Sequence, residues 1–477
     1  MRISVPLLLL ALALSIAAPA EAQPIERPNF VFIFADDLGY ADIGPFGSTV
    51  HRTPNLDRMA DEGMRFTNFY VTSGVCTPSR ASLMTGSYPR RVSLHENGRD
   101  QWVLFPANQR GLHPDEITVA EVLKQRGYAT GMVGKWHLGD QPEFLPTRQG
   151  FDSYYGIPFS NDMGDVNRPA AHPVPLLRGE TVIEAPVDQR TITRRYTEEA
   201  VSFIQDHQDE PFFLYLAHTM PHNPTHASAP FRGRSINGRY GDTIEEIDWS
   251  TGEILAALDD LGLDERTMVI FTSDNGASDR WGGANYPLRG FKGSTMEGGM
   301  RVPMIARWPG QVPMGTTQDE LASTLDILPT FAHLSGGRVP EDRIIDGENF
   351  WPLLAGHIGA VSSDDVFYYY YMGDLEAVRS GRWKLHFLRN DHQTSHLWLR
   401  ADRRGEELDV RLFDLSTDIS ENRDVSPNHP EVVSRLRDLA ERARHDLGDG
   451  EHAGVNQRPP GHVDDTQPLV LEAERNR

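Results

Sequence analysis

The chain alternates short, uniformly apolar runs with longer stretches of helical spacing. Asn29 to Ala35 (NFVFIFA) carries no charge and is rich in β-forming residues, which predicts a strand buried on both faces. Tyr128 to Val133, Pro211 to Ala217 (PFFLYLA), Thr267 to Ser273 and Arg301 to Trp308 read as further strands. Among them, Ile117 to Arg126 (ITVAEVLKQR), Thr193 to Gln208 and Thr243 to Leu261 have helical spacing, and Gly127 ends the first. Buried strands alternating with helices predict an α/β fold: a large, mainly parallel sheet flanked by helices. Near residue 360 the pattern changes. Val366 to Met372, Leu375 to Leu388 and Val410 to Leu415 read as strands with short turns, and Glu431 to Asp446 as a helix. The expected organisation is therefore a large domain over 23–360, a small C-terminal domain over 361–449 with an antiparallel sheet and a helix, and a loose polar tail over 450–477.

Polar residues follow directly on the buried runs. Asp36 and Asp37 come after the first, Lys135 and His137 after Tyr128 to Val133, His218 and His222 after Pro211 to Ala217, and Asp274 and Asn275 after Thr267 to Ser273. In open α/β sheets ligands bind beyond the carboxyl ends of the strands, so these residues are expected to share one site.

A chain of 477 residues is long for a single core, which agrees with one large domain and an appendage. Arg2, the apolar stretch Val5 to Ala18 and the small-x-small triplet Ala20-Glu21-Ala22 form a secretory signal, with cleavage expected near Ala22. The stretch is too short for a permanent anchor, so the mature protein is expected to be exported, periplasmic or secreted, without stable membrane insertion. A net charge of −22 argues against nucleic acid and anionic membranes as partners, although a local cationic pocket can still take a small anion. Cys76 is the only cysteine, so no disulfide can form within the chain.

Cys76 opens the run Cys-Thr-Pro-Ser-Arg-Ala-Ser-Leu-Met-Thr-Gly. Pro78 suits the first turn of a helix, which places Cys76 at a helix N-terminus, where free N–H groups favour an anion. Arg80, four residues on, lies on the same helix face. Read alone, this is equally a capped helix with an inert thiol. Asp36, Asp37, Asp274 and Asn275 offer an all-oxygen set that suits Ca²⁺ or Mg²⁺ better than Zn²⁺, although an Asp pair after a strand is also an ordinary turn. Lys135 and His137, two apart, point the same way if the segment is extended.

Cys-x-Pro-Ser-Arg with a following Thr-Gly resembles the signature of the type I sulfatases, members of the alkaline phosphatase superfamily. Asn29 to Gly39, Gly134 to Gly139, Pro211 to Pro224, Thr272 to Gly276 and Gly290 to Pro303 resemble that family's blocks in the family's order. The likeness is greatest to its arylsulfatase A and N-acetylgalactosamine-6-sulfatase branch and covers about 28 to 445. It implies that residues 23–360 are catalytic and that a maturation enzyme oxidises Cys76 to formylglycine, whose hydrate attacks sulfur. It implies one calcium ion (Mg²⁺ being the lesser choice) held by Asp36, Asp37, Asp274, Asn275 and the modified Cys76. By the same resemblance Arg80, Lys135 and Lys292 stabilise the sulfate, His137 orients the nucleophile, and His222 or Lys292 protonates the leaving oxygen. Ser160 resembles a substrate-contacting serine, and His218 competes with His222 for its role.

The implied substrate is a sulfated small molecule or glycan. Leu94 to His113, Asp165 to Val187 and Thr225 to Arg239 are expected to set specificity. Two other readings stay open: a phosphatase or phosphonate monoester hydrolase of the same superfamily, and a non-catalytic glycan-binding protein in which Cys76 is not converted.

Overall fold

The computed structural model describes residues 27–164, 173–363, 366–389 and 407–474. The signal expected over 1–22 lies outside these residues. In chain order the strands of the larger body are β1 (Asn29–Ala35), β2 (Met64–Tyr70), β3 (Arg110–Gly111), β4 (Ala129–Gly134), β5 (Ser153–Gly156), β6 (Leu176–Arg178), β7 (Thr181–Glu184), β8 (Phe212–Ala217), β9 (Thr267–Ser273), β10 (Arg301–Arg307), β11 (Thr316–Gln318) and β12 (Ala322–Ser323). Its helices are α1 (Pro54–Asp61), α2 (Cys76–Thr85), α3 (Val119–Lys124), α4 (Ile192–Asp206), α5 (Gly238–Asp260), α6 (Glu297–Met300), α7 (Ile327–Leu334) and α8 (Trp351–Leu354).

Among the described residues the main sheet has eleven strands, ordered β11-β2-β10-β9-β1-β8-β4-β5-β6-β7, with β12 also beside β2. Its centre, β9-β1-β8-β4-β5, is parallel, as expected from the uniformly buried runs. Its edges are not. Strand β10 runs antiparallel to both β9 and β2, and β5, β6 and β7 form an antiparallel meander.

Alternation along β1 builds the two halves of the core. Phe30, Phe32 and Phe34 face one side, where they pack with apolar residues of α2, α3 and α7. Val31, Ile33 and Ala35 face the other, against α1, α4 and α5. Every residue of this strand is buried, so either face would lose packing if its register slipped by one.

In the C-terminal domain β13 (Phe367–Tyr371), β14 (Asp374–Ser380), β15 (Trp383–Arg389) and β16 (Glu407–Asp414) form an antiparallel sheet, and α9 (Pro430–Asp446) lays Leu436, Ala440 and Ala443 on it. The stretch expected as one strand, Leu375 to Leu388, divides at Gly381-Arg382 into β14 and β15. The tail is not loose over 450–474. After the small pair β17 (Gly448–Asp449) and β18 (His452–Ala453), strand β19 (Gly461–His462) pairs with β3. Arg458 Nε reaches Glu116 at 2.6 Å, Gln467 N donates to Gln141 Oε1 at 2.8 Å, and Leu469 is buried in the main core. Polar composition alone does not reveal such pairing.

One buried cap gives a pH-dependent prediction. Helix α1 starts at Pro54, and its next two N–H groups, of Asn55 and Leu56, donate to Asp248 Oδ1 of α5 at 3.0 and 2.8 Å. Burial outweighs these bonds and pushes the Asp248 pKa from 3.8 up to about 6. The folded state thus holds this proton more tightly than the unfolded chain does. Its stabilising contribution is complete below pH 3.8 and is lost as pH rises through about 6. Asp248→Asn cannot titrate, so its destabilisation relative to wild type should be larger at pH 4.5 than at pH 7.5. The difference should be at most about 3 kcal/mol, given about 1.4 kcal/mol per pKa unit. Thermal unfolding across this range checks it, and a pH-independent difference would refute it.

Candidate active site

Strands β9, β1, β8 and β4 lie side by side and parallel, so their carboxyl ends meet along one edge of the sheet. Asp274 and Asn275 leave β9 there, Asp36 and Asp37 leave β1, and Lys135 leaves β4 through Gly134. Gly134 has φ +120°, and a Cβ on it would lie 1.8 Å from the carbonyl oxygen of Ala217. Only glycine permits that close crossing, after which Lys135 N bonds the same carbonyl at 2.8 Å. Asp37 and His137 take left-handed backbone angles, φ 65° and 64°, which cost energy for side chains of this kind. Both line the cleft described below.

Helix α2 enters beneath this edge with Cys76 as its first residue, and all ten of its residues are buried. It ends at Gly86 in the left-handed conformation (φ 62°), where a Cβ would press on Ile345 and the backbone of Leu325. Thr77 Oγ1 donates to the His137 carbonyl at 3.0 Å and accepts from Leu104 N at 3.2 Å, tying the helix start to the β4 loop. The guanidinium of Arg80 gives Asp274 Oδ2 two bonds, 3.1 and 2.8 Å, and donates to the Lys135 carbonyl at 2.7 Å.

The charged groups interlock. Lys135 Nζ bonds Asp36 Oδ2 at 2.6 Å and Ser160 Oγ at 3.3 Å. Lys292 Nζ bonds both oxygens of Asp37 at 2.6 and 2.8 Å and lies 3.6 Å from Cys76 Sγ. Burial raises the pKa of Asp36, but Lys135, His222 and Arg80 outweigh it and hold the carboxyl below its ordinary value. Burial lowers the pKa of Lys135, and Asp36 more than reverses that. Burial and the neighbouring Lys135 and Arg80 push His137 well down, so it is neutral; its Nε2 meets the Leu104 carbonyl at 2.9 Å and its Nδ1 has no partner. Burial, then Asp274, pushes the Cys76 thiol well up, against Lys135 and Lys292.

The site has the donors to hold a metal ion. Ligand atoms of Asp36, Asp37, Cys76 and His222 all lie within 4.8 Å of one another. Asn275 donates from Nδ2 to Asp37 Oδ1 at 2.7 Å and leaves its own buried Oδ1 without a hydrogen-bond partner. Asp274 stands behind that group, occupied by Arg80 and by the Asp37 N–H at 3.1 Å.

Above lies a cleft of about 170 Å³ lined by Asp37, Cys76, His137, Ser160, His222 and Lys292. Of the stretches expected to set specificity, Leu94 to His113 supplies Trp102, Val103 and Phe105. The described parts of Asp165 to Val187 and Thr225 to Arg239 do not line it, and residues 165–172 lie outside the described residues. Ser278 to Trp281 also line the cleft; sequence reasoning missed them, as it missed Asp162. The one signal for Asp162 was its place two residues after Ser160. His218 is not in the cleft: it is buried, with Nε2 3.3 Å from Ser250 Oγ.

Fold and site together define an α/β protein with a buried, charge-paired site at the carboxyl edge of a parallel sheet. Residues 28–337 match the family model "Sulfatase", and residues 362–459 match the "C-terminal region of aryl-sulfatase". Arylsulfatase A of Homo sapiens is 42% identical over 468 residues, 91% of this chain and 89% of that protein. N-acetylgalactosamine-6-sulfatase of Canis lupus familiaris is 41% identical over 396 residues, 79% of this chain and 75% of that protein. Among solved structures, Ps i-CgsB in complex with k-i-k-neocarrahexaose superposes with TM-score 0.73 at 31% identity, over 87% of this chain and 92% of that one. The chain belongs to the sulfatase family, and it is a sulfuric ester hydrolase.

The burial of His218 generates a prediction. Burial lowers its pKa to about 3, so its imidazole resonances should not titrate between pH 5 and 8. His218→Ala should lower thermal stability and leave the dependence of rate on the leaving group as in wild type. A titration near neutral pH, followed by NMR, would contradict this placement.

Proposed function

We propose that the protein is an exported, calcium-dependent sulfatase that releases inorganic sulfate from aryl sulfates or sulfated sugars, with Cys76 matured to formylglycine by a separate enzyme. The observation that carries the reading is the setting of Cys76. Its Sγ lies at a buried helix N-terminus on the cleft, 3.5 Å from Asp36 Oδ1 and 3.6 Å from Lys292 Nζ. A thiol held protonated there is a weak nucleophile, which favours a modified side chain over thiolate chemistry. Formylglycine in its hydrated form supplies one oxygen to attack sulfur and a second hydroxyl whose deprotonation expels sulfate, where a serine would remain esterified.

Asp36 and Asp37, with Cys76 and the free Oδ1 of Asn275, are the residues that would hold the ion, and Asp274 closes the set from behind. Asp36, Asp37 and Asn275 offer oxygen, and so would Cys76 once matured; oxygen donors favour calcium over zinc. In the cluster three carboxylates (Asp36, Asp37, Asp274) face three cations (Arg80, Lys135, Lys292), so the side chains alone carry no surplus charge. A bound divalent ion supplies that surplus for the sulfuryl oxygens, as a Lewis acid.

The chain's own groups do the rest. Lys292 lines the cleft and Lys135 lies buried behind it against Asp36 and Ser160; the two cations stabilise charge developing on the sulfuryl oxygens. Arg80 holds Asp274 and the Lys135 carbonyl in place. His137, neutral, has an unpartnered Nδ1 for the attacking hydroxyl. His222 lines the cleft, its Nδ1 set against the Asn223 carbonyl at 2.6 Å, and serves the leaving oxygen with Nε2. Ser160, bonded to Lys135, contacts substrate. Trp102, Phe105 and Trp281 give the entrance aromatic faces that suit an aryl group or a sugar ring.

Three outcomes test the reading. Cys76→Ala should abolish turnover while the protein stays folded, and Cys76→Ser should retain a trace at most. Full activity in Cys76→Ala, with aryl sulfate and aryl phosphate assayed side by side, would end the proposal. Chelation should lower activity and Ca²⁺ should restore it better than Zn²⁺; two zinc ions and no calcium in the active enzyme would refute the metal assignment. His222→Ala should slow substrates with poor leaving groups by about 10²-fold or more, and those with good ones far less. A plot of kcat/KM against leaving-group pKa that stays parallel to wild type would remove His222 from this role.

A further inference from the structure

The active-site lysine on the loop before β10 has no strand to fix it. Lys292 lies in Gly290-Phe291-Lys292-Gly293, flanked by glycines at φ +90° and +81°. On the catalytic side the loop is held by backbone bonds: Lys292 N to the Ala277 carbonyl at 3.0 Å and Gly293 N to that of Gly74 at 2.7 Å. Its far end is held by the other domain.

Three residues after Lys292, Thr295 is buried against β14 and β15. Its Oγ1 donates to Glu376 Oε2 at 2.6 Å and lies 3.0 Å from His386 Nε2. Its carbonyl accepts from Lys384 Nζ of β15 at 2.8 Å. Lys384 and Glu297 have no exposed side-chain surface, and their ion pair measures 3.0 Å; Glu421 takes the same ammonium at 2.8 Å and the Glu297 N–H at 2.8 Å. Tyr70 and Tyr369 give hydroxyls to Glu297, and Lys384 Nζ lies 4.0 Å over the ring of Tyr369. Burial raises the pKa of Glu297, but Lys384, Arg301 and Arg379 hold it at about 2. Burying this many charges is costly, and a plain domain contact would be served as well by apolar residues. The charged groups instead fix polar atoms of one loop at specific points.

We propose that Thr295, Glu297 and Lys384 are positioning residues for Lys292, so that the C-terminal domain sets the geometry of the sulfate-binding lysine. The inference rests on the reading that Lys292 faces the sulfate group. None of the three touches the cleft; each acts through the loop.

The test is a double-mutant cycle on the full chain, read by steady-state kinetics and by inhibition with inorganic sulfate. Thr295→Val keeps the side-chain shape and removes the hydroxyl. It should lower kcat/KM about tenfold and weaken sulfate inhibition by a similar factor, the usual scale for a supporting contact. Thr295→Ser should restore both. In a Lys292→Ala background Thr295→Val should cost nothing further, because its effect passes through that lysine. Leu436→Ala, a core change elsewhere in the C-terminal domain, should lower stability with sulfate inhibition unchanged. Should Thr295→Val not fold, Glu376→Gln enters the same cycle. Losses that multiply in the double variant, or a Thr295→Val that shifts only the melting temperature, overturn the proposal. Wild-type activity in Lys292→Ala alone would instead overturn the role of Lys292.

Discussion

Three carboxylates removed from water at the edge of a parallel sheet are the constraint on which this structure rests. Asp36 and Asp274 have no exposed surface and Asp37 almost none. Unpaired, such groups would cost several kcal/mol each, so cations must come from elements that are otherwise free to sit anywhere. Arg80 comes from a helix beneath the sheet, Lys135 from the end of β4, two strands from β1, and Lys292 from a loop that also contacts the small antiparallel sheet. The position of α2 and the tight turn at Gly134 serve this need, since they bring Arg80 and Lys135 to the carboxylates. Cys76 is carried to the cleft as part of the same arrangement, one turn before the arginine that fixes the helix.

Much of this was legible in the chain. Strands β1 and β9 match their expected bounds, and α4 and α9 match within two residues, because a run buried on both faces or a helical stripe is a local pattern. The shared site was legible for a similar reason: polar pairs just past buried strands must emerge at one edge if those strands are parallel. Strand β2 and the short edge strands β5 to β7, β11 and β12 were not, since their pairing is decided by partners distant in sequence. Lys292 sits in a glycine-rich loop without periodicity, and only the resemblance to a family marked it. Lys384 and Glu297 look like ordinary surface charges in sequence; nothing local says that each is buried against the other, 87 residues away.

The molecule combines a strongly acidic chain with a site for an anionic group, and its organisation explains how. The cations that matter are few, buried and individually neutralised by carboxylates, so they add nothing to long-range attraction. The cleft itself is lined by both signs, Asp37, Asp162 and Asp279 with Arg280 and Lys292, so its charge is set by short contacts.

The pairing of β19 with β3 has a consequence for the order in which the molecule can be assembled. The segment that carries Arg458, β19 and Leu469 follows the whole C-terminal domain in the chain, yet its partners, Glu116, Gly111 and the main core, belong to the first body. The body around the main sheet is therefore built from two pieces of sequence separated by the four-stranded sheet. A chain under synthesis cannot complete that body until the segment from Arg458 to Leu469 is available. Closure of that body therefore waits on a segment that lies beyond the small antiparallel sheet in the chain.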